Sequence, residues 1–251
     1  QQLGHLQWTA ANRRLLGEMM LDLLAPELAR EQLEAAEEIA RRLGSRVWMR
    51  WTAAPLAIAL IRLGDRTGAA TLLDDAARLG PARMRTPADA PSLTLGERHL
   101  WLARAELVLA EGRAAEALAI ADARLAAERA ADETNQLGVP RLTLLRADAL
   151  AALERFEEAA VALERARDEA TRQGAQPILW RIDAAAGHLH RAKRQRLDAR
   201  RYFDRALAIT AELTACVPEE TLRTRFQEGL AVMVPAGPAP SAARLAKEEF
   251  G

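Results

Sequence analysis

Three guanidinium groups and one imidazole, from Arg141, Arg181, Arg191 and His188, fall on consecutive helical segments and could together hold a carboxylate or phosphate. Guanidinium grips such anions with two parallel hydrogen bonds. In the register derived below they share one wall with Arg14 and Glu18, Trp51 and Ile58, His99, Leu102 and Glu106, and Leu144 and Asp148. That mixture suits a peptide, a protein helix or a polar small molecule, and the cationic end favours an anionic one. The expected chemistry is binding. Catalysis lacks its usual parts: there is no GxxxxGK[ST] phosphate loop, no HExxH pair and no paired cysteine. His188 and His190 are two residues apart and point in different directions on a helix, so they share no metal. Cys216 is the single cysteine. It excludes an internal disulfide, fits a reducing compartment, and reads as a buried or capping thiol. No cofactor, metal or enzymatic activity is expected.

The elements that position this wall come from a repeat. A small residue recurs at Gly17, Ala57, Ala105, Ala147 and Gly187, in steps of 40, 48, 42 and 40. Ala29, Ala69, Ala117, Ala159 and Ala199 keep the same steps, and so do Leu33, Leu73, Ala121, Leu163 and Phe203. Self-similarity of this kind marks an array of stacked hairpins. Each unit reads as helix A, a tight turn, helix B and a looser connection. The units span residues 9–44, 45–80, 97–131, 139–174 and 176–217, and a capping helix is expected over 218–232. The small residues let helices A and B approach, and the third series fills the space beside the crossing. Gly64 and Gly112 mark A–B turns; Gly44, Gly80 and Gly174 mark the ends of B helices. Trp8 and Trp48 occupy equivalent positions and are expected to stack between units. The spacing predicts an all-α, right-handed α-α superhelix of about five hairpins plus the cap, over residues 1–234. Residues 81–96 read as a Pro/Ala-rich loop, and 235–251 as a linker leading to a further domain.

Composition narrows the partners. Ala, Leu, Arg and Glu, all good helix formers, dominate, and no run alternates as a strand would. With 35 basic and 35 acidic residues the net charge is zero, which argues against broad nucleic-acid or membrane-surface binding. The basic cluster of Arg191, Lys193, Arg194, Arg196, Arg200 and Arg201, opposed by Asp198, reads as a solvated turn, with contact to DNA phosphates or an acidic partner as the alternative, and it has no interleaved aromatics of the single-strand-binder kind. No apolar run reaches transmembrane length and no signal peptide is seen, so a cytoplasmic protein is expected. The chain opens at Gln1 in what reads as mid-array sequence, as a piece of something longer would.

The repeats resemble the tetratricopeptide family. Trp101, Ala105, Val108, Gly112, Ala117 and Ala121 fall at that family's spacings, as do Gly187, Ala199, Phe203 and Ala206. The units exceed the usual length of about 34 residues. They look like the long repeats of large bacterial signalling ATPases and of the maltose-regulon activator. Pro177-Ile-Leu-Trp180-Arg181, Ala199-Arg-Arg-Tyr-Phe203-Asp-Arg-Ala206 and Pro218-Glu-Glu-Thr-Leu222-Arg-Thr-Arg-Phe226 are similar to the last repeats of such regulators. Ala246-Lys-Glu-Glu-Phe250-Gly251 is similar to the segment just before a LuxR-type helix-turn-helix domain. The resemblance implies a sensor or interaction module of a LuxR-type transcriptional regulator. Its concave groove would take a protein or peptide segment, or a small anionic inducer, without touching nucleic acid itself; an oligomer is possible. The alternative is a constitutive protein-interaction scaffold of a signalling ATPase or cyclase.

Overall fold

The computed structural model describes residues 2–80, 95–131 and 139–235, and among these it contains eleven α-helices and no strand. The hairpins are α1 (Gln2–Asp22) with α2 (Pro26–Arg42), α3 (Arg46–Arg62) with α4 (Arg66–Arg78), α5 (Leu95–Ala110) with α6 (Ala114–Ala131), α7 (Pro140–Ala152) with α8 (Phe156–Arg172), and α9 (Gln176–Ala192) with α10 (Arg196–Ala215). Helix α11 (Glu220–Met233) follows.

Local chemistry sets the boundaries. Pro26, Pro140 and Pro177 sit in the first turns of α2, α7 and α9, where a missing N–H leaves no helix bond unmade. The Ser45 hydroxyl accepts from the Trp48 amide at 3.4 Å, and the Asp65 carboxylate accepts from that of Gly68 at 2.8 Å. Every A–B turn carries one left-handed residue: Leu24, Gly64, Gly112, Glu154 and Arg194, with φ between 56° and 85°. These keep the steps of the packing residues, although only two of the five are glycine.

All fifteen residues of the three in-step series are buried. A Cβ added to Gly187 would lie 2.5 Å from Phe203 Cε1, and one added to Gly17 would strike Leu33. The crossing therefore works as its residue types suggest: the large side chain of helix B occupies the place where helix A carries none. Each A helix touches the A helices before and after it and the preceding B helix. The A helices thus line the inner, concave side of the superhelix. Two buried acids fasten the later units. Glu169 accepts from the Thr143 hydroxyl at 2.7 Å and from Arg165 Nε at 2.8 Å, and Asp183 accepts from Arg167 Nε at 3.0 Å. Pairing of this kind is what makes a buried carboxylate tolerable.

Several expectations change in detail. The cap starts at Glu220, two residues late, because Glu219 acts as its N-cap and accepts from the amides of Thr221 and Leu222 at 3.2 and 3.3 Å. Its Phe226 packs edge-on against Trp180, with ring centroids 6.2 Å apart. Trp8 does not stack on Trp48. It is 74% exposed, because no described helix covers that side of α1, and Trp48 packs instead on Trp51 at 5.1 Å. Cys216 caps α10 but is exposed rather than buried. Most of the anticipated loop (81–94) and nearly all of the anticipated linker (236–251) lie outside the described residues.

Candidate ligand-binding site on the concave face

One position of each A helix points to the middle of the concave side: Glu18, Ile58, Glu106, Asp148 and His188, in the steps of the repeat. One turn earlier the lining continues with Ala54, Leu102, Leu144 and Ala184, and two turns earlier with His99, Arg141 and Arg181. Side chains four apart on a helix share a face, so the register expected from the sequence is the one observed. Two hollows result, and Arg141 lines both. The larger, about 630 Å³, lies among α3, α5, α7 and α9 and has Phe156 and Met233 in its wall. The smaller, about 210 Å³, lies among α1, α3 and α5, with Pro55 of α3 in its wall.

The cations expected on this wall already have protein partners. Arg141 donates to the Asp22 carboxylate at 2.6 Å. Arg181, only 8% exposed, donates to the backbone carbonyls of Leu21 and Asp22 at 3.2 and 3.1 Å. Those carbonyls close α1, where unpaired C=O groups and the helix dipole make a negative end. Arg181 also stacks over the Trp180 ring at 4.5 Å. His188 Nε2 lies 2.7 Å from the Met233 carbonyl, and Arg191 donates to its Nδ1 at 2.9 Å. The carbonyl can only accept and the guanidinium can only donate, so the hydrogen bonds assign the proton to Nε2. Arg14 pairs with Glu18 at 2.5 Å and lies over the Trp51 ring at 5.2 Å.

The end of the first hairpin is therefore docked on the fourth and fifth units. The cap joins this contact: Arg225 pairs with Glu27 at 3.3 Å, and Gly229 meets Leu24, which a Cβ there would approach to 2.8 Å. The array closes on itself, and its own α1–α2 corner holds Arg141 and Arg181, two of the guanidinium groups that the sequence offered to a ligand.

Two acids on the wall lack such partners. Asp148 and Glu106 make no hydrogen bond or ion pair among the described residues. Asp148 is exposed to the open hollow, although protein surrounds it farther out. Loss of hydration from that surround, with Glu106 adding its charge, pushes its carboxyl up to about 7. Burial also raises Glu18 against the pull of Arg14, and lowers His99, with Arg14 and Arg141 adding to that shift. Burial disfavours the charged form of Arg181, yet guanidinium stays a cation in proteins.

Of the residues expected on the wall, Glu18, His99, Glu106, Arg141, Asp148, Arg181 and His188 line the hollows. Arg14, Trp51 and Arg191 stand just behind, each touching another wall residue. The reading missed Asp22, Arg62 and Met233. Asp22 and Arg62 lie one turn beyond Glu18 and Ile58, so extending the same register by four residues finds both. Met233 has no signal in the repeat. The basic cluster at the last A–B turn meets more acid than Asp198: Lys193 pairs with Glu157 at 2.8 Å and Arg200 with Asp204 at 3.6 Å, beside Arg201 with Asp198 at 3.8 Å.

Solved structures place this geometry among known folds. A Podosopora anserina kinesin-light-chain candidate built of nearly identical TPR-like repeats matches 84% of this chain and 98% of its own, at 18% identity and a TM-score of 0.53. A thermophilic TPR protein of Thermus thermophilus matches 88% of this chain and 98% of its own, at 20% identity and a TM-score of 0.50. The fold is TPR-like. No family model matches the sequence, and no curated protein matches it either. Identity this low speaks for the helical-repeat architecture alone. Among the described residues of this TPR-like array, no helix is long and apolar enough to cross a membrane, and no three His, Cys, Asp or Glu side chains gather as a metal site.

Proposed function

We propose that this chain is a helical-repeat sensor and protein-interaction module, the part of a cytoplasmic LuxR-type transcriptional regulator that couples binding on the concave face to activation. The LuxR-type context rests on the resemblance of the last seventy-five or so residues. The observation that carries the sensor reading is the docking of the first hairpin onto Arg141 and Arg181 at the rim of the larger hollow. An anionic inducer, or an acidic partner segment, seeks the same guanidinium groups as Asp22 and the end of α1. Occupant and first hairpin compete, so binding frees the hairpin and changes the closure of the superhelix. The reading has no catalytic step. The population shift equals the occupant's preference for the open state and no more.

The test is a thermal-shift screen of nucleotides, sugar phosphates and acidic peptides against the parent chain, followed by titration of any hit. A ligand that binds only the folded chain raises its melting temperature. Asp22→Asn removes the internal competitor and is expected to tighten binding of an anionic hit, whereas Arg141→Gln is expected to weaken it. Equal affinity in all three chains would overturn the competition. Reversing the charge of Arg181 is not a clean test, because it would set a carboxylate against the carbonyls that end α1.

A further inference from the structure

The outer face of α1 is bare where every later A helix is covered. Met19 is 59% exposed and Leu15 49%, and Leu16 and Trp8 stand beside them. The repeat equivalents of Met19 are core residues throughout, and so are those of Leu16 where they are apolar. Ala59, Leu107, Ala149 and Leu189 correspond to Met19 and are all buried, while Leu56 and Ala186 correspond to Leu16 and are buried too. On each later A helix the preceding B helix packs, α2 on α3, α4 on α5, α6 on α7 and α8 on α9, together with the preceding A helix. Where the Leu16 position is arginine, an acid of that B helix meets it, as Asp74 meets Arg104 and Asp122 meets Arg146. The α1 face carries the same residues as the covered face of α3 at two positions, Trp8 for Trp48 and Leu16 for Leu56. An apolar stripe of this kind on an outer surface marks an interaction site.

We infer that this face seats an amphipathic helix of the B type, supplied by a further helical hairpin, in the place that α2 takes on α3. The buried stripe of the array's own B helices, whose Leu33 meets Gly17 within the first hairpin, states the chemistry of that helix. Alanines with one leucine recur at i, i+4, i+7 and i+11, as Ala29, Leu33, Ala36 and Ala40 do in α2 and Ala159, Leu163, Ala166 and Ala170 do in α8. Close approach requires the small residues. The seat opposes no charge, because Leu16 stands where Arg104 and Arg146 stand later. The inference does not depend on the ligand reading of the concave side. It does place both events on one helix, whose inner face lines the smaller hollow.

The test extends the chain by a second copy of residues 5–44 placed directly before His5. The step of 40 residues then sets the copied α2 before α1 as α2 stands before α3. In a Cys216→Ser background, the thiol introduced by Met19→Cys is expected to react with a maleimide at least tenfold more slowly in the extended chain than in the 251-residue chain. Unchanged labelling overturns the inference, whether or not the added hairpin gains helix. Sedimentation equilibrium of the 251-residue chain supplies the second arm. A monomer supports a helical hairpin as the occupant. A concentration-dependent dimer that Leu15→Glu/Met19→Glu abolishes assigns the face to a second copy and overturns the proposal.

Discussion

Replacing Gly187 with alanine sets two effects of similar size against each other. Inside a helix alanine is favoured over glycine by about 0.5–1 kcal/mol, so an unobstructed site would gain stability. This site is obstructed: the new Cβ would lie 2.5, 2.6 and 2.9 Å from Phe203 Cε1, Cδ1 and Cζ. The ring has little freedom to retreat, with His188 edge-on at 5.0 Å and Arg191 over it at 5.9 Å. Overpacking a filled core costs about 1–3 kcal/mol. The clash outweighs the propensity gain, leaving a net loss of about 1–2 kcal/mol. At roughly 2–4 °C per kcal/mol for a chain of this size, the melting temperature falls by roughly 2–8 °C. Thermal unfolding followed by circular dichroism measures it. Phe203→Leu supplies the partner for a double-mutant cycle, because it removes Cε1 and Cζ, two of the three atoms that clash. Gly187→Ala is expected to cost at least about 1 kcal/mol less in that background. A Gly187→Ala chain as stable as its parent, with no coupling to Phe203, would show that the two helices do not cross here.

The remaining expectations concern turns, closure and titration. Glu154→Gly and Arg194→Gly relieve left-handed backbone at φ of 59° and 62° and should each raise stability by about 0.5–1 kcal/mol, while Gly112→Ala, at φ of 81°, should lower it by about as much; chemical denaturation midpoints decide the signs. Arg181→Met removes two hydrogen bonds to the end of α1 but also a buried charge, so the melting temperature should move by only a few degrees. Amide exchange at the α1–α2 corner should meanwhile quicken about tenfold, equivalent to about 1.4 kcal/mol of local closure; exchange at the parent rate would mean that the docking is not held there. Asp148 has its folded value raised from 3.8 to about 7, so the folded chain holds the extra proton between those values. Stability should therefore fall as pH rises through that window, and Asp148→Asn should remove that part of the slope. Glu18, Glu37 and Asp183, raised by burial, act in the same direction, and His99, lowered by burial, acts against them; all four persist in the variant, so the difference between the two pH curves isolates Asp148.

The hairpin count, the crossing residues and the concave register could all be read from residue types and spacing. Helical periodicity and nearest-neighbour stacking are short-range in sequence, and each unit repeats the same solution. Gly64 and Gly112 announced their turns by type. Leu24, Glu154 and Arg194 adopt the same backbone with side chains that give no hint of it, and only the period points to them. The anionic preference of the wall was inferred from Arg141 and Arg181 as though both lacked partners within the chain. Whether they do is decided by how far the superhelix has turned by its fourth and fifth units, a sum of small rotations that no single hairpin specifies. That sum brings Asp22 to Arg141, the end of α1 to Arg181 and Glu27 to Arg225, across 119, 160 and 198 residues of chain. Helix-wheel register named the side chains that face inward. Only the closed tertiary structure determined that the first hairpin would meet them there, because contact at such separation depends on the accumulated geometry of every unit between.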